Sequence, residues 1–240
     1  MKTLRERFAH NKYRLMVFSL LAGASIVCVA LVRFRATMTG STHYMFLVWN
    51  LFLAWIPFGI AYVTYVTSIR RGWLYLIVPV SAFLWLIFFP NAPYILTDLQ
   101  HLRNAGVDVP VWYDVIMLIW FVFTGLFLGM VSLFLMQEIV RREFGRWFGW
   151  GFVLAVAGLT SIGVYMGRFL RWNSWDILAN FGDMAQFTLY YLIHPTQRSL
   201  IFASLFTTFF LFVYLLLYAF GHLLLERPSD ATPLIKTATK

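Results

Sequence analysis

The side chains that could do chemistry sit in two polar islands. The first is Asn91, Asp98 and His101, inside Phe88-Phe89-Pro90-Asn91-Ala92-Pro93-Tyr94-Ile95-Leu96-Thr97-Asp98-Leu99-Gln100-His101. The second is Arg168, Arg171 and Asp176, inside Arg168-Phe169-Leu170-Arg171-Trp172-Asn173-Ser174-Trp175-Asp176. Asp98 and His101 are three residues apart, so on a helix they share a face. Such a pair can act as a base with its orienting carboxylate, or contribute two ligands to a metal. Arg168 and Arg171 can grip a phosphate or carboxylate, because guanidinium groups hold both in a forked geometry. Asp114 lies between the islands, at the start of an apolar run.

Each residue also has a structural reading. Thr97-Asp98-Leu99-Gln100 matches a capping box, with Thr97 as N-cap and Gln100 at N3. Asp98 would then complement a helix dipole, and Asn104-Ala105-Gly106 would end that helix. Trp172 and Trp175 suit the headgroup belt, and Asn173 and Asp176 have cap spacing. Asp114 is harder to explain structurally. An acid within reach of lipid needs a partner, and Arg168 or Arg171 is the expected one. Asp98, His101 and Asp114 have no recognised metal-ligand spacing, so the metal and cofactor remain unassigned.

These residues stand out because the rest of the chain is so apolar. Of 240 residues, 61% are hydrophobic and 12% charged, against roughly 45–50% and about 25% in soluble domains. Mean hydropathy is +0.74. Apolar blocks at about 15–32, 44–67, 73–89, 112–136, 148–167 and 199–224 each approach the roughly 20 helical residues that cross a bilayer core. They do not alternate as β-barrel strands do. The expected fold is all-α, a polytopic transmembrane bundle of about six spans with short interfacial helices in the outer loops. Residues 1–14 form a basic N-terminus, 15–225 the membrane domain and 226–240 a tail. The first block exceeds the length of a signal-peptide core and reads as a retained anchor. Pro57 and Pro79 should kink spans two and three. The run Phe187–Ile193 is too short to span and suits the interface.

The net charge is +9, and Lys and Arg cluster at block ends, so lipid headgroups rather than nucleic acid are the expected partner. The connections on one side hold 13 of the 19 Lys and Arg residues, and those on the other hold 6. The positive-inside rule then puts both termini in the cytoplasm and both islands outside, for an inner-membrane protein. Cys28 is the sole cysteine and excludes an internal disulfide. On this reading no charge lies near the middle of a span, which counts against an ion-coupled transporter. Gly125 with Gly129, and Gly163 with Gly167, have the spacing that lets helices approach closely in lipid. Spans four and five are expected to pack through them.

The two islands, together with Trp112-Tyr113-Asp114, resemble the bacterial membrane-protein family called domain-of-unknown-function 1361, over roughly residues 40–225. That resemblance implies a bacterial multi-pass membrane protein and supplies no mechanism. Three functions stay open. One is an enzyme or binding protein for an anionic or lipid-linked envelope substrate, with Asp98, His101 and Asp114 as catalytic candidates. Arg168, Arg171, Asp176 and Asn91 would then bind the substrate. The others are a small-solute transporter and a non-catalytic subunit or assembly factor that packs on other membrane proteins.

Overall fold

The computed structural model describes residues 4–68, 74–106, 109–172 and 181–223. These are almost entirely helical, and no strand occurs among them. Helix α1 covers Leu4–Thr39, α2 Phe46–Thr67, α3 Leu74–Phe88 and α4 Asn91–Tyr94. A 3-10 helix follows over Ile95–Asn104. Then come α5 over Val111–Phe144, α6 over Arg146–Phe169, α7 over Phe181–Ile193 and α8 over Gln197–Leu223. Six segments are long and apolar enough to cross a membrane: Lys12–Thr39, His43–Thr67, Ile77–Asn104, Val111–Phe144, Arg146–Phe169 and Gln197–Leu223. The chain is a multi-pass helical membrane protein. The tail expected at 226–240 lies outside the described residues.

Helix α5 is the axis of the bundle. It packs against α1, α2, α4, α6 and the 3-10 helix, and it is the most enclosed of the six, whereas α1 and α8 are the least. A single residue joins α5 to α6. Gly145 adopts φ +92, a conformation that costs glycine little, and the chain reverses there. The reversal brings Gly149 against Arg141 and Gln137.

The third span departs from expectation. Helix α3 ends at Phe88 after 15 described residues, about 22 Å of rise, less than the roughly 30 Å of a bilayer core. The remaining distance is covered by residues 90–104, expected above to form an outer loop. The prolines explain the change of helix type. Pro90 and Pro93 have no N–H, so the i→i−4 bonds to Leu86 and Phe89 cannot form. Ala92 N donates instead to Phe89 O at 3.1 Å, an i→i−3 bond, while Tyr94 N keeps the i→i−4 bond to Pro90 O at 2.9 Å. The chain then continues with the tighter 3-10 pitch for ten residues, an unusually long run for that geometry. The expected capping box does not form. Thr97 lies inside this helix and its Oγ1 donates to Tyr94 O at 2.7 Å. The helix does end where expected, at extended Ala105 and Gly106 with φ +85.

Both glycine pairs serve this segment. A Cβ at Gly125 would lie 2.7 Å from Ile95 Cδ1 and 2.9 Å from the carbonyl oxygen of Ala92, and one at Gly129 would lie 3.3 Å from Ala92 Cβ. From the other side, a Cβ at Gly163 would lie 2.8 Å from Pro90 Cγ, and one at Gly167 3.3 Å from the Tyr94 ring. Helices α5 and α6 do pack together. Gly125 and Gly129, however, face residues 92–95 rather than α6, because close approach is most needed where the backbone itself must be sheathed.

Elsewhere, Ser132 Oγ donates to Pro57 O at 3.1 Å and accepts from Trp85 Nε1 at 2.6 Å. This bond ties the proline-bearing α2 to α3 and α5.

The glycine contacts generate a direct test. Gly125→Ala forces backbone to move and should destabilise the folded protein by about 1–3 kcal/mol. Gly59→Ala, which meets nothing within 4 Å, should leave it unchanged. Thermal unfolding in detergent of the two variants compares them, and equal midpoints would remove the close-packing role of Gly125.

Candidate functional site

Irregular backbone at Phe89-Pro90 carries the first island into the interior of the bundle. Along the 3-10 helix, every third residue returns to one face. Ile95 and Asp98 are buried there and His101 is half-buried. Asp98 is 1% exposed. One of its carboxylate oxygens accepts from Arg168 Nη2 and the other from Asn50 Nδ2 at 2.9 Å. Arg168, at the last turn of α6, also donates from Nε and Nη2 to Thr97 Oγ1 at 2.8 and 2.6 Å. Its guanidinium carbon lies 4.5 Å from the centre of the Tyr94 ring, a cation–π contact that strengthens away from water. The site therefore joins α2, the re-wound third span and α6.

A second buried pair lies nearer the membrane boundary. Arg35 Nε donates to Asp114 Oδ1 at 2.6 Å and Nη2 to Oδ2 at 3.2 Å. The backbone N–H of Gly106 donates to Asp114 Oδ2 at 3.1 Å. Arg35 stacks on Tyr44, with 4.4 Å from guanidinium carbon to ring centre. Asp114 is 0% exposed and Arg35 4%. The two pairs are at different depths. Asp98 bonds to Asn50 within α2, whereas Asp114 bonds to the backbone of Gly106, beyond the end of the 3-10 helix.

These contacts correct two expectations. Asp114 does have the partner its position demands, but that partner is Arg35 from α1, not Arg168 or Arg171. Arg168 is committed to Asp98. Asp98 and Asp114 thus belong to separate pairs, Arg171 belongs to neither, and Asp176 lies outside the described residues. The third span also does carry charge well below its end. Residues 90–104 were expected as a loop, and Asp98 instead lies within the span, toward its Asn104 end rather than at its middle.

The other candidates take lesser places. Asn91 Nδ2 donates to Phe88 O at 2.9 Å, tying down the end of α3. His101 packs its ring 4.7 Å from Phe46 and 6.2 Å from His43, and its carbonyl accepts from Tyr44 Oη at 3.4 Å. Arg171 is exposed beyond the end of α6, with φ +57. Among the described residues, no three of His, Cys, Asp and Glu gather closely enough to hold a metal ion.

Sequence reasoning missed Arg35 and Asn50. Arg35 was counted in a connection because it follows the first apolar run. Its spacing carried a signal, since Leu21, Cys28 and Arg35 repeat every seven residues and all three are buried. Asn50 is an amide within an apolar run, but nothing local ties it to Asp98, 48 residues away.

The arrangement defines a class: a multi-pass helical membrane protein whose third span changes helix type and is pinned by buried arginine–carboxylate pairs. Residues 49–213 match the family described as Protein of unknown function (DUF1361), and the chain belongs to that family. No curated protein and no solved structure matches the chain.

Arg35 and Asp114 supply the test of this geometry. Removing one member of a buried pair strands the other charge and typically costs about 3–5 kcal/mol. Arg35→Gln should lower folded stability in detergent by about that much. Asp114→Asn combined with Arg35→Gln should cost less than the two singles together. Strict additivity would show that the pair does not operate in the folded protein.

Proposed function

We propose that the protein binds an anionic, lipid-linked ligand of the cell envelope at the Asp98–Arg168 site. Asp98 acts as an internal stand-in for the ligand's anion. The observation that carries this reading is the state of Arg168. Its guanidinium is fixed on the Tyr94 face and on Thr97, its side chain is 12% exposed, and its remaining bond goes to a carboxylate. A phosphate or carboxylate from a ligand satisfies the same fork as Asp98 does. Ionisable residues within a membrane span are costly to keep, which fits a functional use better than a purely structural one. In this reading Arg168 holds the anion, Tyr94 and Thr97 position it, and Asn50 keeps hold of the displaced Asp98. Asn91 and His101 flank the same segment. Arg171 lies just beyond α6.

The excess of Lys and Arg on the opposite side supports an outward-facing site, cytoplasmic termini and a bacterial inner membrane. Reporter fusions after residues 105, 145 and 185 check this orientation, and a cytoplasmic signal at 105 or 185 would reverse it.

The change of helix type in the third span favours a second reading, transport of the anion, since discontinuous helices at mid-membrane build transporter sites. Flux of a bound anion across proteoliposomes separates transport from binding alone.

The binding reading is tested with a polyprenyl phosphate as probe and thermal unfolding in nanodiscs as readout. Asp98→Asn leaves Arg168 without its counter-charge, so the probe should stabilise this variant more than the wild type and bind it about tenfold more tightly. Arg168→Gln should abolish both effects. Equal binding by the wild type, Asp98→Asn and Arg168→Gln would sink the proposal.

A further inference from the structure

The opposite end of the bundle holds a second arrangement of arginines, unrelated to the Asp98 site. Tyr65, near the end of α2, receives hydrogen bonds from two arginines on different helices. Arg142 Nη2 donates to its Oη at 2.6 Å and Arg14 Nη2 at 3.4 Å. Both guanidinium carbons also lie near the ring, at 4.8 and 5.2 Å from its centre. Glu138 pairs with Arg141 and Arg142 at 2.7 and 3.0 Å. Glu138 balances one of these three arginine charges, and Arg14 bonds to the neutral Tyr65, which leaves a net positive charge. Arg14, Arg141 and Arg142 are exposed, unlike Arg35 and Arg168, so each keeps part of its surface open to the surroundings.

From this basic end a groove of about 890 Å³ runs into the apolar part of the bundle between α1 and α8, floored by α2 and α5. Arg14 and Tyr65 line its mouth, and its walls are aliphatic and aromatic, including Phe58, Phe134 and Leu217. On α5 the lining runs from Phe127 to Leu135 and on α8 from Tyr214 to His222. Each stretch rises about 12 Å. That length is close to one leaflet of a bilayer core, about 15 Å if the core is roughly 30 Å. Arg14 and Arg35 lie 21 residues apart on α1, about 32 Å. The groove mouth therefore stands at one boundary of the hydrocarbon and the Arg35–Asp114 pair at the other.

We propose that this groove is a docking site for a phospholipid with an anionic headgroup. Its phosphate lies against Arg14 and Arg142, and an acyl chain lies between α1 and α8. Three features select this occupant. The mouth is positive, the depth matches one leaflet, and the groove opens between the two least enclosed helices, whose outward residues such as Leu15, Leu216 and Phe220 are apolar and exposed. A soluble anion would satisfy the arginines but leave the apolar walls uncovered. A zwitterionic lipid would fill the walls but carry no net charge to the arginines.

The test uses the full-length protein in nanodiscs of equal phosphatidylglycerol and phosphatidylcholine, with retained lipid identified by native mass spectrometry after ejection. The wild type should retain phosphatidylglycerol over phosphatidylcholine by about tenfold, the scale of one charge-assisted contact. Arg14→Gln with Arg142→Gln should remove that preference. Leu217→Trp, which fills the groove from an exposed position, should lower retention of both lipids while the thermal midpoint stays at the wild-type value. Equal retention of the two lipids by the wild type would overturn the proposal. So would an unaltered preference in the double variant, or displacement of phosphatidylglycerol by millimolar inorganic phosphate.

Discussion

Hydrocarbon offers no partner for a bare peptide group, and the third span has to meet that constraint with two prolines three residues apart. Pro90 and Pro93 each remove a donor from the helical ladder. In water the exposed carbonyls would be hydrated, but at this depth they must be enclosed by protein. Glycines let two helices close on residues 90–95 from either side: Gly125 and Gly129 on α5 meet Ala92, Pro93 and Ile95, the carbonyl oxygen of Ala92 among them, and Gly163 and Gly167 on α6 meet the Pro90 and Tyr94 side chains. That sheathing draws α5 and α6 around the segment and makes α5 the axis on which the other helices pack. The same enclosure removes water from Asp98. Its carboxylate must then be balanced from within, which is the part played by Arg168 and Asn50.

The two buried pairs share one construction. In each, a carboxylate from one segment meets an arginine from another, and the guanidinium lies on a tyrosine ring, Tyr94 for Arg168 and Tyr44 for Arg35. Stacking lets a planar cation leave water at lower cost than an ammonium could, because guanidinium is weakly hydrated and both its faces and edges find contacts. Lysine at either position would keep the charge and lose the fork and the stack. The pairs tie α1 to α5 and the third span to α6, so each links elements far apart in the chain.

Much of the fold was legible in the sequence because five of the spans are long apolar runs with charged ends. The third was only half legible. Residues 90–104 mix prolines, amides and charges, which is the composition of a loop, and no local pattern distinguishes a loop from a backbone sheathed by glycines elsewhere. The glycine spacings did announce close approach, but spacing does not name the approaching partner. The need of Asp114 for a counter-charge was readable from its position. The identity of Arg35 was not, since the two are 79 residues apart and meet only through packing of α1 on α5. The capping box at Thr97 failed for a related reason. It assumes that a helix starts there, whereas the helix had already begun at Ile95.

The ten residues Ile95–Asn104 are wound in a form that rises about 2.0 Å per residue instead of about 1.5 Å. They reach about 5 Å further than the same residues would as an α-helix. They also turn about 120° per residue rather than about 100°. Rewinding them would therefore act as a screw, shortening the segment while sweeping Asp98 around its axis and off the guanidinium of Arg168. Extension along the helix axis and the making of that bond are, in this segment, one coordinate.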